Sequence, residues 1–85
     1  MTTPRAMRAK MQITKIERHQ HGHETLHLVA VSKSGGYPAD GSDEDNTYAH
    51  LSPSGALTLT IANPALIGTF EPGKKYYLDF TEAAA

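Results

Sequence analysis

The sequence predicts an all-β protein: a small antiparallel β-barrel or two-layer sheet of about five strands with one short helical turn. Three observations predict this class. Apolar and polar residues alternate with period two in several segments, Gly- and Pro-containing turns separate those segments, and there is no heptad repeat or long amphipathic helix. Closure is favoured because an open sheet of this size leaves two edges unpaired.

The first predicted strand has four apolar side chains at alternating positions, which predicts one half-buried face: Met7, Ala9, Met11 and Ile13. Ile16 falls outside this alternation. A bulge near Thr14 and Lys15 is therefore expected, because one extra residue returns Ile16 to the core side. Gly22 then permits a tight hairpin, since glycine adopts positive φ without steric cost. The second strand runs through Leu26 and Leu28.

The composition of residues 32–46 predicts a long loop, because this segment is rich in glycine and acidic residues and poor in apolar residues. We expect this loop to be mobile unless a partner or an ion orders it. A short strand is predicted at 47–51, and a clearer one follows, with Leu57, Leu59 and Ile61 alternating with threonines. Calcium binding at 40–46 is disfavoured, because the glycine and the bidentate glutamate of a calcium loop are not in place.

Asn63 and Pro64 are typical of a helix N-cap followed by proline at the first helical position, and Gly68 ends that turn. The pair Pro72-Gly73 is typical of a turn before the last strand. The expected core comprises eleven apolar or aromatic residues: Met11, Ile13, Leu26, Leu28, Leu57, Leu59, Ile61, Leu66, Tyr76, Leu78 and Phe80.

The length of 85 residues predicts one β domain over 1–85, with flexible tails at 1–5 and 82–85. The absence of cysteine excludes a disulfide framework, a thiolate zinc site and a cysteine nucleophile. No apolar stretch of membrane-spanning length and no signal peptide are recognisable, so we expect neither membrane insertion nor export by that route.

Charge is divided between the two parts of the chain. Up to Lys33, six basic residues accompany two acidic ones, whereas from Ser34 onward two lysines accompany seven acidic residues. The simplest interpretation is that opposite charges meet across strands within the domain. In an assembly, the basic end of one copy would instead face the acidic loop of the next.

The sequence gives only weak evidence for a metal-binding or catalytic site. His19, His21 and His23 are potential metal ligands, but on an extended strand three alternate residues span about 13 Å and cannot share one ion unless the hairpin folds them together. A solvated hairpin tip is the favoured interpretation. No nucleophile elbow, paired carboxylates or phosphate-binding glycine motif is present, so we expect no enzyme activity and no cofactor.

Nucleic-acid binding is the main alternative from another class, because small five-stranded barrels bind single strands through basic grooves. Four basic residues would supply a stripe on the first hairpin: Arg8, Lys10, Lys15 and Arg18. The negative net charge, the lack of tryptophan and the assignment of most aromatic residues to the core disfavour this role.

The segment from Asn63 to Phe80, together with 44–48 and 52–57, resembles a family of small proteins of this length encoded by tailed bacteriophages. The resemblance covers most of the chain from Met7 to Thr81. It implies a phage origin and a non-enzymatic virion protein, such as a capsid decoration or cement protein, made in the host cytoplasm. The implied partners are the major capsid protein and further copies of the chain; an intracellular factor binding a host protein is a further alternative.

Such a protein makes contacts through its surface, and the sequence offers two candidate regions. The first is the long loop, where an aromatic anchor precedes four acidic residues: Tyr37, Asp40, Asp43, Glu44 and Asp45. The second is a basic region that we expect at the opposite end of the domain: Arg5, Arg8 and Lys10. One copy would then bridge two neighbours of unlike charge.

Overall fold

The computed structural model describes residues 4–85, so residues 1–3 of the predicted N-terminal tail lie outside the described residues. Four antiparallel strands form one sheet in the order β3-β2-β1-β4, which curls into a half-barrel. Their bounds are β1 Arg5–Arg18, β2 Glu24–Ala30, β3 Ala56–Ile61 and β4 Lys75–Thr81. Short 3-10 turns lie at Gln20–Gly22 and Pro64–Leu66. Residues 4–85 include no helix of the length and hydropathy needed to span a membrane.

Strand β1 is central to the sheet because it pairs on both sides. Its 14 residues pair with β4 through the N-terminal part and with β2 through the C-terminal part, and Met11 lies opposite both Ala30 and Tyr76. Arg5, which was placed in the predicted tail at 1–5, belongs to this strand and lies opposite Thr81. Residues 82–85 follow β4 without regular structure.

The predicted bulge is confirmed: the register between β1 and β2 shifts between Ile13 and Lys15. Beyond it, Ile16 lies opposite Leu26 and packs against the core. The hairpin turn has Gly22 at φ 87°, the positive value that glycine accommodates at no steric cost. The predicted N-cap is also present, since the Ala65 N–H donates to Oδ1 of Asn63 at 3.0 Å.

The all-β class is confirmed, with four strands in an open half-barrel, whereas the predicted fifth strand and closed barrel are not shown by residues 4–85. The expected strand at 47–51 forms turns instead. The Ala49 N–H donates to the Asn46 carbonyl at 2.9 Å, and Leu51 has a φ of 63°, which an extended strand does not allow.

The core lies on the concave face of the sheet. Its buried apolar residues are Ala9, Met11, Ile13, Leu26, Leu28 and Ile61, and the half-buried residues packed against them are Ile16, Leu57, Ile67, Phe70 and Leu78. Four residues predicted to be in the core are exposed: Leu59, Leu66, Tyr76 and Phe80. The predicted alternation on β3 was nevertheless right, because Leu59 lies opposite Leu26 and Leu57 opposite Leu28. The face on which these leucines lie is only partly covered.

Residues 62–74 provide the partial cover. The Gly68 N–H donates to the carboxylate of Glu24 at 3.1 Å, and Glu24 is buried and paired with Arg18. The Phe70 ring packs edge-on against Tyr76, with the ring centroids 5.4 Å apart. This segment therefore covers one part of the concave face and leaves the rest open.

We expect Leu28→Ala to lower the free energy of unfolding by about 2–5 kcal/mol, because truncating an enclosed leucine loses apolar burial and leaves a cavity. Leu59→Ala is the matched control. Its side chain is 52% exposed, so its loss should be about 1 kcal/mol or less. Chemical denaturation in dilute solution measures both. Equal losses would contradict the open concave face.

Candidate protein interaction surfaces

The loop between β2 and β3, residues 31–55, is anchored by the side chain of Asn46, which is 0% exposed. Its Oδ1 accepts from the Lys10 N–H at 2.8 Å, and its Nδ2 donates to the Val31 carbonyl at 2.8 Å. Lys10 and Val31 are the residues where β1 and β2 part. The amide therefore satisfies backbone groups that the ladder no longer pairs.

Asp43 stabilises the same loop through hydrogen bonds to backbone N–H groups. Its carboxylate accepts from the N–H groups of Asp45 at 2.9 Å and Asn46 at 3.0 Å, and from that of Lys33 at 3.3 Å. Burial acts to raise the pKa of Asp43, but hydrogen bonds from the Asn46 side chain and these N–H groups outweigh burial and lower the pKa.

The expectation of a loop that needs a partner or an ion to order it was therefore wrong for this part of the loop. Asn46 and Asp43 order it through hydrogen bonds within the chain. Asp43, which was predicted as a partner contact, is buried, and N–H groups of the protein engage its carboxylate oxygens. The sequence showed Asn46 only as the end of a polar loop.

Basic residues of β1 pair with acidic residues of the same chain. Arg8 forms two hydrogen bonds with Asp79, at 2.7 and 3.0 Å, and Arg5 lies 3.3 Å from the same carboxylate. The Arg8 guanidinium also lies 4.3 Å from the centroid of the Tyr77 ring. The hydrogen bonds from Arg8 lower the pKa of Asp79.

The loop extends this charge pairing. Lys10 Nζ lies 3.4 Å from the Asp45 carboxylate, which also accepts from the Tyr77 hydroxyl at 3.1 Å. Lys33 pairs with Glu44 at 3.0 Å. The basic residues of β1 and the acidic loop are therefore neighbours, and the prediction that they occupy opposite ends was wrong. The structure supports the other interpretation, in which opposite charges pair within the domain.

The remaining loop residues proposed as contacts differ in their exposure. Asp40 is exposed and accepts from the Ser42 N–H at 3.0 Å, and the Glu44 side chain is 71% exposed despite its pairing. Tyr37 is half-buried, and its hydroxyl is buried without a hydrogen-bond partner among the described residues. Tyr37 thus packs partly against its own domain.

The three histidines that were considered as metal ligands lie around the β1–β2 turn. His19 Nε2 is hydrogen-bonded to Thr25 Oγ1 at 2.7 Å, while His21 and His23 are exposed. Over residues 4–85, no three His, Asp or Glu side chains are placed to hold a metal ion.

The uncovered part of the concave face is an apolar groove of about 170 Å³. Aliphatic and aromatic residues line it: Ile13, Leu26, Leu28, Leu57, Leu59, Phe70, Tyr76, Tyr77 and Leu78. Phe80, which is 48% exposed, lies on β4 with the same side-chain orientation as Leu78. These residues were predicted as core, and the structure makes several of them surface.

The two edge strands border this face and differ in charge. Strand β3, at one edge, has no charged residue, whereas β4, at the other, carries Lys75 and Asp79. Charged side chains protect an edge from pairing with another chain. The open edge of β3 lacks this protection, and the sequence signal was the run of uncharged residues from Ala56 to Ile61.

Comparison with protein-family models, characterised proteins and solved structures finds no match to this chain.

We expect Asn46→Ala to lower the free energy of unfolding by about 2–4 kcal/mol, because it removes a buried side chain and leaves the half-buried Lys10 N–H and Val31 carbonyl without this partner. Asn63→Ala is the control. Asn63 is exposed and caps one N–H group, so Asn63→Ala should lower the free energy of unfolding by about 1 kcal/mol. Thermal or chemical unfolding measures both, and a smaller loss for Asn46→Ala than for Asn63→Ala would contradict the anchoring role.

We expect the stability advantage of the wild type over Asp43→Asn to depend on pH. The pKa of Asp43 is lower in the folded protein than in the unfolded chain, so ionised Asp43 stabilises the fold above the unfolded pKa of about 3.9. That contribution is lost as pH falls through the folded pKa. Denaturation at several pH values should show the difference shrinking below about pH 4; a constant difference would contradict it.

Proposed function

We propose that this protein is a non-enzymatic structural component of a bacteriophage particle that binds the capsid surface through protein–protein contacts. The observation that carries the proposal is the uncovered apolar groove on the concave face, with Leu59 and Phe80 exposed. Contiguous exposed apolar surface on a small domain is typical of a protein interaction site. The resemblance to small proteins of tailed phages suggests the particle as the partner.

Covering the groove supplies a driving force without any reaction chemistry. Burial of one leucine or phenylalanine side chain contributes about 1.5–3 kcal/mol. A contact of a few such residues is weak alone, but an icosahedral surface offers the same site many times, and bridging between neighbouring sites adds avidity. A small domain with one apolar surface is suited to such a role.

Charge also favours an apolar contact. Arg8 and Lys10 are engaged by Asp79 and Asp45 within the chain, so they contribute less free positive charge to a partner surface. Binding through the groove should therefore change little with ionic strength. Binding of single-stranded nucleic acid through the same basic residues would instead weaken steeply as salt increases.

Purified particles of the phage that encodes this chain test the role directly. Quantitative mass spectrometry should find the protein at many copies per particle. Its absence from the particle would contradict the proposal and would favour an intracellular factor. A host protein recovered with it from infected cells would then identify that class of partner.

We expect Phe80→Ser to bind about tenfold less to particles that have been prepared without the native protein, because an exposed aromatic side chain on the same face as the groove is lost. Val29→Ser is the matched control. Val29 is 39% exposed and lies on β2 beside Leu28, so its side chain points to the convex face. The occupancy of the Val29→Ser variant on the particles should equal that of the wild type.

Titration of each protein onto the particles at low and high salt measures occupancy. Equal loss for the two variants would contradict binding through the concave face. A strong loss of wild-type binding at high salt would favour the ionic loop instead.

A further inference from the structure

We propose that two copies of this chain pair through their β3 edges, antiparallel about a two-fold axis at Thr58, so that two four-stranded sheets become one sheet of eight strands. The partner is a second copy of the chain. The proposal does not depend on a role in a phage particle, because it concerns the isolated protein.

The backbone of β3 has a row of groups directed away from its own sheet. The Ala30 N–H donates to the Gly55 carbonyl at 3.0 Å, and hydrogen-bonded pairs alternate along an antiparallel ladder. The backbone groups of Leu57, Leu59 and Ile61 therefore face β2, and those of Ala56, Thr58 and Thr60 face the edge. Among the described residues, no backbone hydrogen bond from a loop or turn engages these three.

A two-fold axis at Thr58 satisfies all three of these residues. Thr58 then lies opposite Thr58 of the second copy, and each Ala56 lies opposite a Thr60. All three pairs are hydrogen-bonded pairs, so each outward N–H meets a carbonyl. An axis at Leu59 would engage only Thr58 and Thr60 within the strands.

The side chains select the same register. With the axis at Thr58, each Leu57 lies opposite a Leu59 on the concave face, and the threonines meet on the convex face. A slip of one residue would place leucines opposite threonines. The pairing joins the leucines at the ends of the two apolar grooves and reduces the exposure of Leu59, which is 52% in one copy.

Charge distinguishes this edge from the other. A two-fold axis brings identical residues close together, so charged residues beside it would repel their own copies. Strand β3 carries no charged side chain. Strand β4, by contrast, carries the charged residue Asp79, which pairs with Arg8 and Arg5 of its own chain. The β3 edge is therefore the one whose composition permits pairing with itself.

The area involved predicts a weak, reversible dimer. Five facing residues on each strand bury less than the roughly 800 Å² per partner of a standard stable interface. Wild-type protein should therefore be monomeric in dilute solution and dimeric near millimolar concentration, as measured by sedimentation velocity.

Cross-linking tests the axis itself. Residues of a hydrogen-bonded antiparallel pair have Cα atoms about 5.5 Å apart, within the range that a disulfide spans. The chain contains no cysteine, so Thr58→Cys introduces the only one. Under mild oxidation it should form a covalent dimer at least tenfold faster than Lys75→Cys, the control at the first residue of the β4 edge. Equal rates would overturn the proposal.

Charge variants give an independent test. Thr58 is exposed, so Thr58→Lys and Thr58→Glu should both fold, which circular dichroism verifies. Each variant alone should remain monomeric at concentrations where the wild type is dimeric, because like charges meet at the axis. An equimolar mixture of the two should recover the dimer. A wild type that stays monomeric at millimolar concentration, or a mixture that does not recover, would overturn the pairing.

Discussion

Four antiparallel strands do not close around a core, and most surface properties of this protein depend on that constraint. The sheet curls into a half-barrel, with β3 and β4 at its two edges. Residues 62–74 cover only part of the concave face. Apolar side chains that a closed barrel would enclose, such as Leu59 and Phe80, therefore reach the surface. The groove and the free edges both follow from the missing closure.

A second constraint is the length of β1. This strand extends beyond the end of β2, which leaves backbone groups near Lys10 without a strand partner. The loop supplies substitutes: the Asn46 amide bonds the Lys10 N–H, and the Thr47 N–H donates to the Arg8 carbonyl at 2.9 Å. The loop thus completes the sheet at this end, and Lys10 and Asp45 come together as a consequence.

These two features divide the surface into unlike regions. Around β1 and residues 43–47 of the loop, polar and charged side chains form hydrogen bonds and ion pairs within the chain, which stabilise the fold. At the groove, apolar side chains are exposed, and at the β3 edge no loop or turn among residues 4–85 pairs with the outward backbone groups. A contact at the groove uses side chains of the concave face, whereas pairing at the β3 edge uses the backbone groups of that strand. The two contacts share Leu57 and Leu59, which line the groove and lie on β3.

The sequence by itself determined the local structure. Alternation predicted the four strands, the out-of-phase Ile16 predicted the bulge, and the Asn63-Pro64 pair predicted the N-cap. Each of these features depends on residues that are close together in the chain. Only the tertiary structure decided which apolar residues are covered and which charges pair. Alternation places Leu28 and Leu59 on the same face, but burial depends on what packs against that face. The order of the loop likewise depends on Asn46 meeting Lys10, 36 residues away in the sequence, and no local pattern encodes such a contact.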